Sequence, residues 1–559
     1  MNSPVQKIKE RLGIEEIVSS YIKLDRAGAN LKARCPFHNE KTPSFFVSPD
    51  RGSYYCFGCG ASGDIFTFVE EFEGLDFKGA LKLLAERAGV ELGKFDKKTE
   101  DKKEKLYRIM DEAAIYFVQN LSGDVIKYLK SRGLEDKTIE SFRIGFARDE
   151  WRGAYEHLKL NFSDQEIEQA GLAKKSDKGM YDRFRGRVMF PIADSSGRVI
   201  AFSGRIFIDD GKSAKYLNSP ETPIFSKSHV LYGLDRAKES IRKNNFSILV
   251  EGQIDLVLSH QAGYKNTIAA SGTALSDDTL SKENVISNFG LVRRLSPNIV
   301  LAFDGDKAGF NAMGKAGRIA LSLGMDVKVA GFPEGSDPAD LISKGGKDAW
   351  KEAIKNSKHI IEFILEKVLA EAGDARKAGK EIKEKVLPYV NLIDSSIEKT
   401  YFIKKISDAS SIPLKALEDD LKKIERDSKG EKEELEKTLS NERKLLRRDY
   451  IERKLLGIAL WREDENLLKT LGPIRDKYKD LNQDLIFEAE VFYGGSADLD
   501  RDVAEMLSNL EEEQVNEELL IKIQELRMIK DKDREATVLK EINELNKRKE
   551  AIKNSRQRK

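Results

Sequence analysis

Cysteine is nearly absent from this chain: three residues in 559, alongside only five histidines. So low a count excludes a disulfide-stapled scaffold. Long hydrophobic runs are missing too. No stretch reaches the ~18 uninterrupted apolar residues of a membrane-spanning helix, and the opening "MNSPVQKIKERLGIEEIV" has no apolar core of signal-peptide type. A soluble cytoplasmic protein is expected. Net charge is also lacking, because 96 Lys and Arg against 95 Asp and Glu leave +1. Nucleic-acid contact would have to come from local basic patches. There is no internal repeat of solenoid period. What remains is a highly charged chain, 34% Asp, Glu, Lys and Arg, with 40% hydrophobic residues. That suffices for several cores, in roughly three to five domains.

All three cysteines fall in "CPFHNEKTPSFFVSPDRGSYYCFGCG", from Cys35 to Gly60. With His38 they give Cys35-x2-His38-x17-Cys56-x2-Cys59, the ligand spacing of a zinc ribbon. Each two-residue turn sets two ligands on one knuckle, and two knuckles close a tetrahedron around zinc. Four ligands leave no open position, so the expected metal is one structural Zn2+. Gly58 and Gly60 suit the second knuckle. "SFFVS" and "SYYCF" read as short strands joined by "PDRG". Their aromatics, with Lys41 and Arg51, suit either stacking on single-stranded nucleic acid or an ordinary core.

Beyond this module, "FKGALKLLAERAGV" has helical apolar spacing, and "KKTEDKKEK" (97–105) is a charged linker. Residues 174–215 hold ten Lys and Arg against five Asp and Glu, a local basic excess. Three apolar runs then share one kind of ending. "FSILV" meets Glu251 in "EGQID", "NIVLAF" meets Asp304 and Asp306 in "DGDKAG", and "VKVAGF" leads to Asp337 and Asp340 in "PEGSDPAD". Such runs read as strands buried on both faces of a parallel sheet. Ligands of these sheets bind beyond the carboxyl ends of the strands, so the acids should converge on one edge. Clustered carboxylates need a cation, and oxygen ligands without His or Cys suit Mg2+ or Mn2+. Residues 350–425 read as helical, and "ERDSKGEKEELEK" (425–437) is a second charged linker.

"EGQID", "DGDKAG" and "SDPAD" resemble the motifs of the Toprim domain of primases, topoisomerases and some nucleases. "CPFHNEKTPSF" with "YYCFGCGASGDIFTF" resembles the CHC2 zinc finger of bacterial replicative primase. "YLKSRGL", "DRFRGRVMFPI", "GRVIAFSGR" and "KYLNSPETPIFSK" resemble basic motifs of that enzyme's catalytic core. The match runs in order over about residues 1–425, and the chain is similar to the DnaG-type primase family.

This resemblance implies a multidomain α/β protein. A zinc ribbon (1–96) precedes a mixed α+β catalytic core. The core holds an N-terminal part (106–243), a Toprim domain with a mainly parallel sheet (244–334) and a helical part (335–425). A C-terminal helical domain (438–559) follows. The implied activity is DNA-directed RNA synthesis: short RNA primers made from ribonucleoside triphosphates on single-stranded DNA, for replication. Glu251, Asp304 and Asp306 would be the catalytic acids, holding two or more Mg2+ or Mn2+ ions with Asp337 and Asp340. One ion would activate a 3′-hydroxyl and another would stabilise the leaving pyrophosphate. The family's third motif carries a second acid two positions after the first, where this chain has Ala339. Whether Asp337 or Asp340 completes the set therefore stays open, as does a proton-transfer role for Glu251. Arg132, Arg205 and Lys215 would contact nucleotide phosphates. Residues 276–294 read as an insertion relative to the family. The C-terminal domain would bind a replicative DnaB-type helicase, and a monomer is expected.

Two other classes share these motifs: a Toprim nuclease or topoisomerase, and a non-enzymatic DNA-binding protein. A topoisomerase needs a nucleophilic tyrosine, and none of the 16 tyrosines stands in a recognisable context for one. A non-enzymatic DNA-binding protein would have eroded acids, yet Glu251, Asp304 and Asp306 are all present. Ribonucleotide incorporation on a single-stranded template separates all three readings. "GFNAMGKA" (309–316) imitates a P-loop but ends in Ala316, where Ser or Thr should hold Mg2+. ATP hydrolysis there is not expected. His157, His229, His260 and His359 are scattered, without local acid–base partners. Near the end, "YIERKLLGIALWRE" reads as a helix, and Val538, Ile542, Leu545 and Ile552 share a helical face. The closing "KRKEAIKNSRQRK" has seven basic residues against one acid.

Overall fold

The computed structural model describes residues 3–38, 40, 42–92, 102–209, 211–227, 230–271, 288–333, 335–427, 447–493, 499–528 and 532–557. Most of the expected insertion at 276–294, much of both charged linkers, Lys41 and His229 lie outside them. The chain groups into two compact units, residues 1–96 with 443–559, and residues 97–442. No helix among the described residues is long and apolar enough to cross a membrane.

In the first unit, five short strands form an antiparallel sheet in chain order: Asp25–Ala27, Asn30–Ala33, Phe45–Ser48, Ser53–Cys56 and Ser62–Gly63. Phe45 and Val47 point into the core, as do Tyr54 and Cys56 of the next strand. This is the two-residue alternation of a sheet with one dry face. The "PDRG" turn between them places Gly52 at φ 60°, where glycine carries no steric penalty. Helix Ile65–Glu73 starts at Asp64, whose Oδ1 accepts the Phe66 and Thr67 N–H groups. It ends at left-handed Gly74. Helix Phe77–Ala88 repeats the pattern with Asp76 and Gly89. Losing either aspartate cap would cost about 1 kcal/mol. Phe37, Phe45, Tyr54 and Phe68 pack edge and face in the core between sheet and helices.

The same unit contains the C-terminal helices. Arg447–Trp461 buries Leu455, Leu456 and Ala459 in a core with Leu485 and Leu510. The long helices Leu499–Met528 and Lys532–Gln557 pair along Val515, Leu519 and Ile552, with Ile542 and Leu545 packed against them.

The second unit holds two larger sheets. An antiparallel sheet runs Tyr216–Asn218, Val199–Ile206, Arg187–Ala193, Gly145–Ala147 in spatial order. The other runs Thr267–Ala269, Ser247–Val250, Asn298–Ala302, Asp326–Val329, Lys358–His359. Its first four strands are parallel and the last is antiparallel. All four residues of Ser247–Val250 are buried, as a strand covered on both faces requires. Helices Gln253–Gln261, Lys307–Ser322 and Pro338–Lys355 follow three of the strands. The P-loop imitation lies inside Lys307–Ser322 and is helical throughout, so its amides are spent on the helix and cannot cradle phosphate. Helices Ile360–Glu371, Ser396–Ser410 and Leu414–Asp427 fill the region expected to be helical.

Candidate active site and metal centre

The three acidic motifs meet at the carboxyl edge of the parallel sheet. Glu251 directly follows Ser247–Val250, and its Oε1 accepts the Asp304 N–H at 3.0 Å. Asp306 caps Lys307–Ser322, its Oδ1 accepting the Gly309 N–H at 2.7 Å. Asp337 caps Pro338–Lys355, accepting the Asp340 N–H at 2.5 Å. Two helix N-termini thus carry two of the acids, and the positive ends of their dipoles offset part of the repulsion.

Glycine makes this crowding possible. A Cβ on Gly305 would lie 2.4 Å from the Pro333 carbonyl oxygen, and the Gly305 N–H donates to the Ser336 oxygen at 2.9 Å. The second and third motifs are therefore joined main chain to main chain. A Cβ on Gly309 would strike the Asp304 carbonyl oxygen at 2.3 Å and Glu251 Oε1 at 2.7 Å.

Asp255, the last residue of "EGQID", was not singled out from the sequence. It is buried, and its two oxygens accept the Gly252 N–H at 3.0 Å and the Ala339 N–H at 3.1 Å. It ties the first motif to the third. Burial, the Asp337 charge and the Glu251 charge push it up to about 7 against those two hydrogen bonds. Burial also lifts Asp304 to about 7, with Glu251, Asp255, Asp337 and Asp306 acting in the same direction. Glu251 is raised, by burial first and then by Asp306 and Asp337, against the bond from Asp304.

Asp304 Oδ1 is buried without a hydrogen-bond partner among the described residues. A carboxylate oxygen left bare among four other acids fits a divalent cation. The acids do not close into a tight cage. An open set suits an ion that keeps part of its water and takes substrate phosphates as ligands. Asp337 shares the field of the other acids, whereas Asp340 pairs with Lys344 at 2.8 Å, which holds its carboxyl low.

The basic residues differ in how they are held. Arg205 donates from Nε to the Tyr128 hydroxyl at 2.8 Å and from Nη1 to the Tyr216 hydroxyl at 2.7 Å. Tyr216 in turn feels the charge of Asp255, one of the acids of that edge. Arg132 ends helix Gly123–Ser131, and its charge acts on Asp340. Its Nε is buried and unpaired among the described residues. Lys215 is exposed, and its carbonyl accepts the Ile206 N–H. Ser271, also not foreseen, donates its N–H to the Glu251 carbonyl at 2.9 Å, and its own carbonyl accepts from Asn218 Nδ2 at 3.3 Å.

In the first unit, Cys35, His38, Cys56 and Cys59 are the one group among the described residues whose ligand atoms all lie within 4.8 Å of each other. The Cys35 and Cys59 sulfurs are 3.8 Å apart. That matches the edge of a zinc–sulfur tetrahedron, about 3.8 Å for bonds of about 2.3 Å. Burial pushes the Cys35 thiol up, while sulfur contacts from Cys35 and Cys59 pull Cys56 down. A dication removes this conflict by binding all of them as thiolates.

His38 Nδ1 faces the Cys56 sulfur at 3.8 Å, and its Nε2 lies 3.3 Å from Glu40 Oε2. Glu40 also accepts the Cys35 and Ser44 N–H groups. A Cβ on Gly58 would lie 2.6 Å from His38 Nε2, so glycine is needed to seat the ring. A carboxylate behind a metal-ligating histidine fixes its tautomer and orientation. Glu40→Gln keeps an oxygen for the amides and turns an N–H toward His38. Zinc release to a chelator should accelerate roughly tenfold or more, and an unchanged release rate would remove Glu40 from this role.

The chain matches three family profiles: "CHC2 zinc finger" over residues 1–101, "DNA primase catalytic core, N-terminal domain" over 116–238, and "Toprim domain" over 245–331. The DNA primase of Clostridium acetobutylicum is 38% identical over 427 residues, covering 74% of this chain and 69% of that protein. The DNA primase of Halalkalibacterium halodurans is 33% identical over 468 residues, covering 81% of this chain and 76% of that protein. The crystal structure of the Aquifex aeolicus primase (zinc binding and RNA polymerase domains) aligns with a TM-score of 0.50 at 31% identity. It covers 75% of this chain and 99% of that one.

Proposed function

The chain belongs to the bacterial DNA primase family, DNA-directed RNA polymerases that synthesise primers, and from that membership we propose how its own residues divide the work. The observation that carries the assignment is the bare, buried Asp304 Oδ1 at the meeting point of three acidic motifs. Glu251, Asp304, Asp306 and Asp337 hold the catalytic divalent ions, two or more Mg2+ or Mn2+. When bound, such ions neutralise phosphate charge and make the attacking 3′-hydroxyl more acidic. Asp340 is left to its pair with Lys344 and contributes to the fold of the third motif. Asp255 is a positioning residue that fixes the first motif against the third.

Arg205 is fixed by two tyrosine hydroxyls, so it meets a triphosphate without losing side-chain freedom. Arg132 offers an unpaired Nε and Lys215 an exposed point charge for the same phosphates. The substrates are ribonucleoside triphosphates paired to a single-stranded DNA template. The zinc ribbon, held by one structural Zn2+, helps choose the start site on that template. Tyr55 and Phe57 stand on its surface, 39% and 72% exposed, and are available for stacking on bases. The protein works in the cytoplasm as a monomer.

The C-terminal helices are the docking module for a DnaB-type helicase. The support is their position behind a charged linker and the exposed Ile521 and Leu539 on the long helix pair. A fragment ending near Arg426, kept in zinc-containing buffer, should still make primers on naked single-stranded DNA and should lose stimulation by the cognate helicase. Stimulation equal to that of the full chain would refute the docking role.

A further inference from the structure

The helical side of the zinc domain is engaged by residues at least 379 positions away in sequence. Phe492, near the end of helix Asn482–Tyr493, packs against two zinc-domain rings. Its centroid lies 5.6 Å from that of buried Phe66 and 4.9 Å from that of buried Phe77. Two ammonium groups sit over the same ring, Lys9 of the zinc domain at 5.4 Å and Lys454 of the C-terminal helices at 5.2 Å. Lys9 also pairs with Asp64 at 2.8 Å, and the Lys454 charge acts on that same carboxylate.

A second contact is polar and independent of the first. Glu71 accepts hydrogen bonds from two phenols. Tyr450 of helix Arg447–Trp461 reaches Oε1 at 3.1 Å, and Tyr54 reaches Oε2 at 3.1 Å. Tyr54 is buried on the strand Ser53–Cys56, two residues before a zinc ligand. The chain of contacts therefore runs from a C-terminal helix, through one carboxylate, to the strand that carries Cys56. Withdrawing Tyr450 would leave Glu71 short of a donor in a part-buried position, and such a loss is felt by the remaining partner.

We propose that the C-terminal helical module clamps the zinc domain of its own chain through the Phe492 cage and the Tyr450–Glu71–Tyr54 bridge, and that retention of zinc depends on this clamp. The zinc ribbon and the module then act as one piece in the full-length protein. Start-site choice by the zinc ribbon and helicase docking by the module rest on the function proposed above. The clamp does not.

The test uses the full-length chain, without helicase or DNA. A short amine-reactive cross-linker should join Lys9 to Lys454. In a mixture of isotopically light and heavy protein, the joined peptides should come from the same copy. Absence of the product, or mixed light–heavy peptides making up about half of it, as contact between copies gives in an equal mixture, overturns clamping in cis. Zinc release to a chelator is then measured for Tyr450→Phe and for Phe492→Ala. Tyr450→Phe removes one oxygen and leaves the helix intact by circular dichroism. It should release zinc about tenfold faster, the scale of one lost hydrogen bond to a charged group. Phe492→Ala should also lower the cross-link yield. If Phe492→Ala unfolds the module, Tyr450→Phe alone decides. Wild-type release from Tyr450→Phe overturns the dependence. Neither readout involves helicase stimulation, so failure of the clamp and failure of the docking role are told apart.

Discussion

Asp304→Asn should abolish primer synthesis, lowering the yield by about a thousandfold or more, while the protein stays folded. The substitution keeps the shape and removes the charge from a carboxylate whose Oδ1 is buried and unpartnered among the described residues. Without divalent ions that charge is a liability to the fold. The folded Asp304 carboxyl is raised to about 7 from its ordinary 3.8, so the folded state binds the proton more tightly than the unfolded chain. The sign follows from linkage. The stabilising contribution of the protonated group is complete at acidic pH, below the ordinary value. It is lost as pH rises through the folded value near 7. Metal-free wild type should therefore lose melting temperature between about pH 4 and about pH 7, and added Mg2+ should recover most of it at the upper end. Asp304→Asn should show a shallower slope and a smaller response to Mg2+. Some slope persists, because Asp255 titrates in the same window with the same sign. Primer yield near wild type at millimolar Mg2+, or an unaltered Mg2+ response in melting, would reject the assignment.

Cys56→Ser should strip the protein of zinc. Binding of structural zinc is worth on the order of 10–16 kcal/mol in small domains, comparable with the whole stability of such a domain. The strand Ser53–Cys56 has a neighbour on each side, pairing Cys56 with Phe45 and Tyr54 with Gly63, so the ligand ends an interior strand of the small sheet. Hydrogen exchange should accelerate throughout residues 35–60, and template-dependent initiation should weaken. The parallel sheet of the second unit should keep its protection. Metal analysis settles the premise: purified wild-type protein without zinc would refute it.

What could be read from the sequence was what neighbouring residues encode. The zinc ligands sit in two local pairs, so spacing alone carries the tetrahedron, and the pairs are found together. The strands ending at Glu251 and Asp304 are short apolar runs, and they lie beside one another as expected. Contacts between distant segments left no such trace. Asp255 looks like an ordinary acid in the first turn of a helix, and its purpose appears only where it meets the Ala339 N–H. Gly309 reads only as the last residue of "DGDKAG", and nothing there shows that Glu251 approaches it from the end of another strand. The two candidates of the third motif were indistinguishable by type. In the structure Asp337 caps a helix and Asp340 pairs with Lys344 four residues on, a difference in surroundings that residue type alone does not carry. Likewise, no periodicity announces that Phe492 belongs with Phe66 and Phe77.

The cysteine census has a consequence for oxidative stress. Every thiol in the chain belongs to one zinc-ligand set. Peroxide attack on a thiolate leads to sulfenic acid and then to a disulfide with a neighbouring thiol, and the Cys59 sulfur lies 3.8 Å from that of Cys35. That two-electron oxidation uses up two ligands and expels the metal. The acidic edge of the parallel sheet contains no cysteine and is untouched by the same chemistry. Under the proposed division of labour, an oxidised molecule loses its choice of start site while its nucleotide-joining chemistry stays intact. Thiol reductants together with zinc would restore it without new protein synthesis.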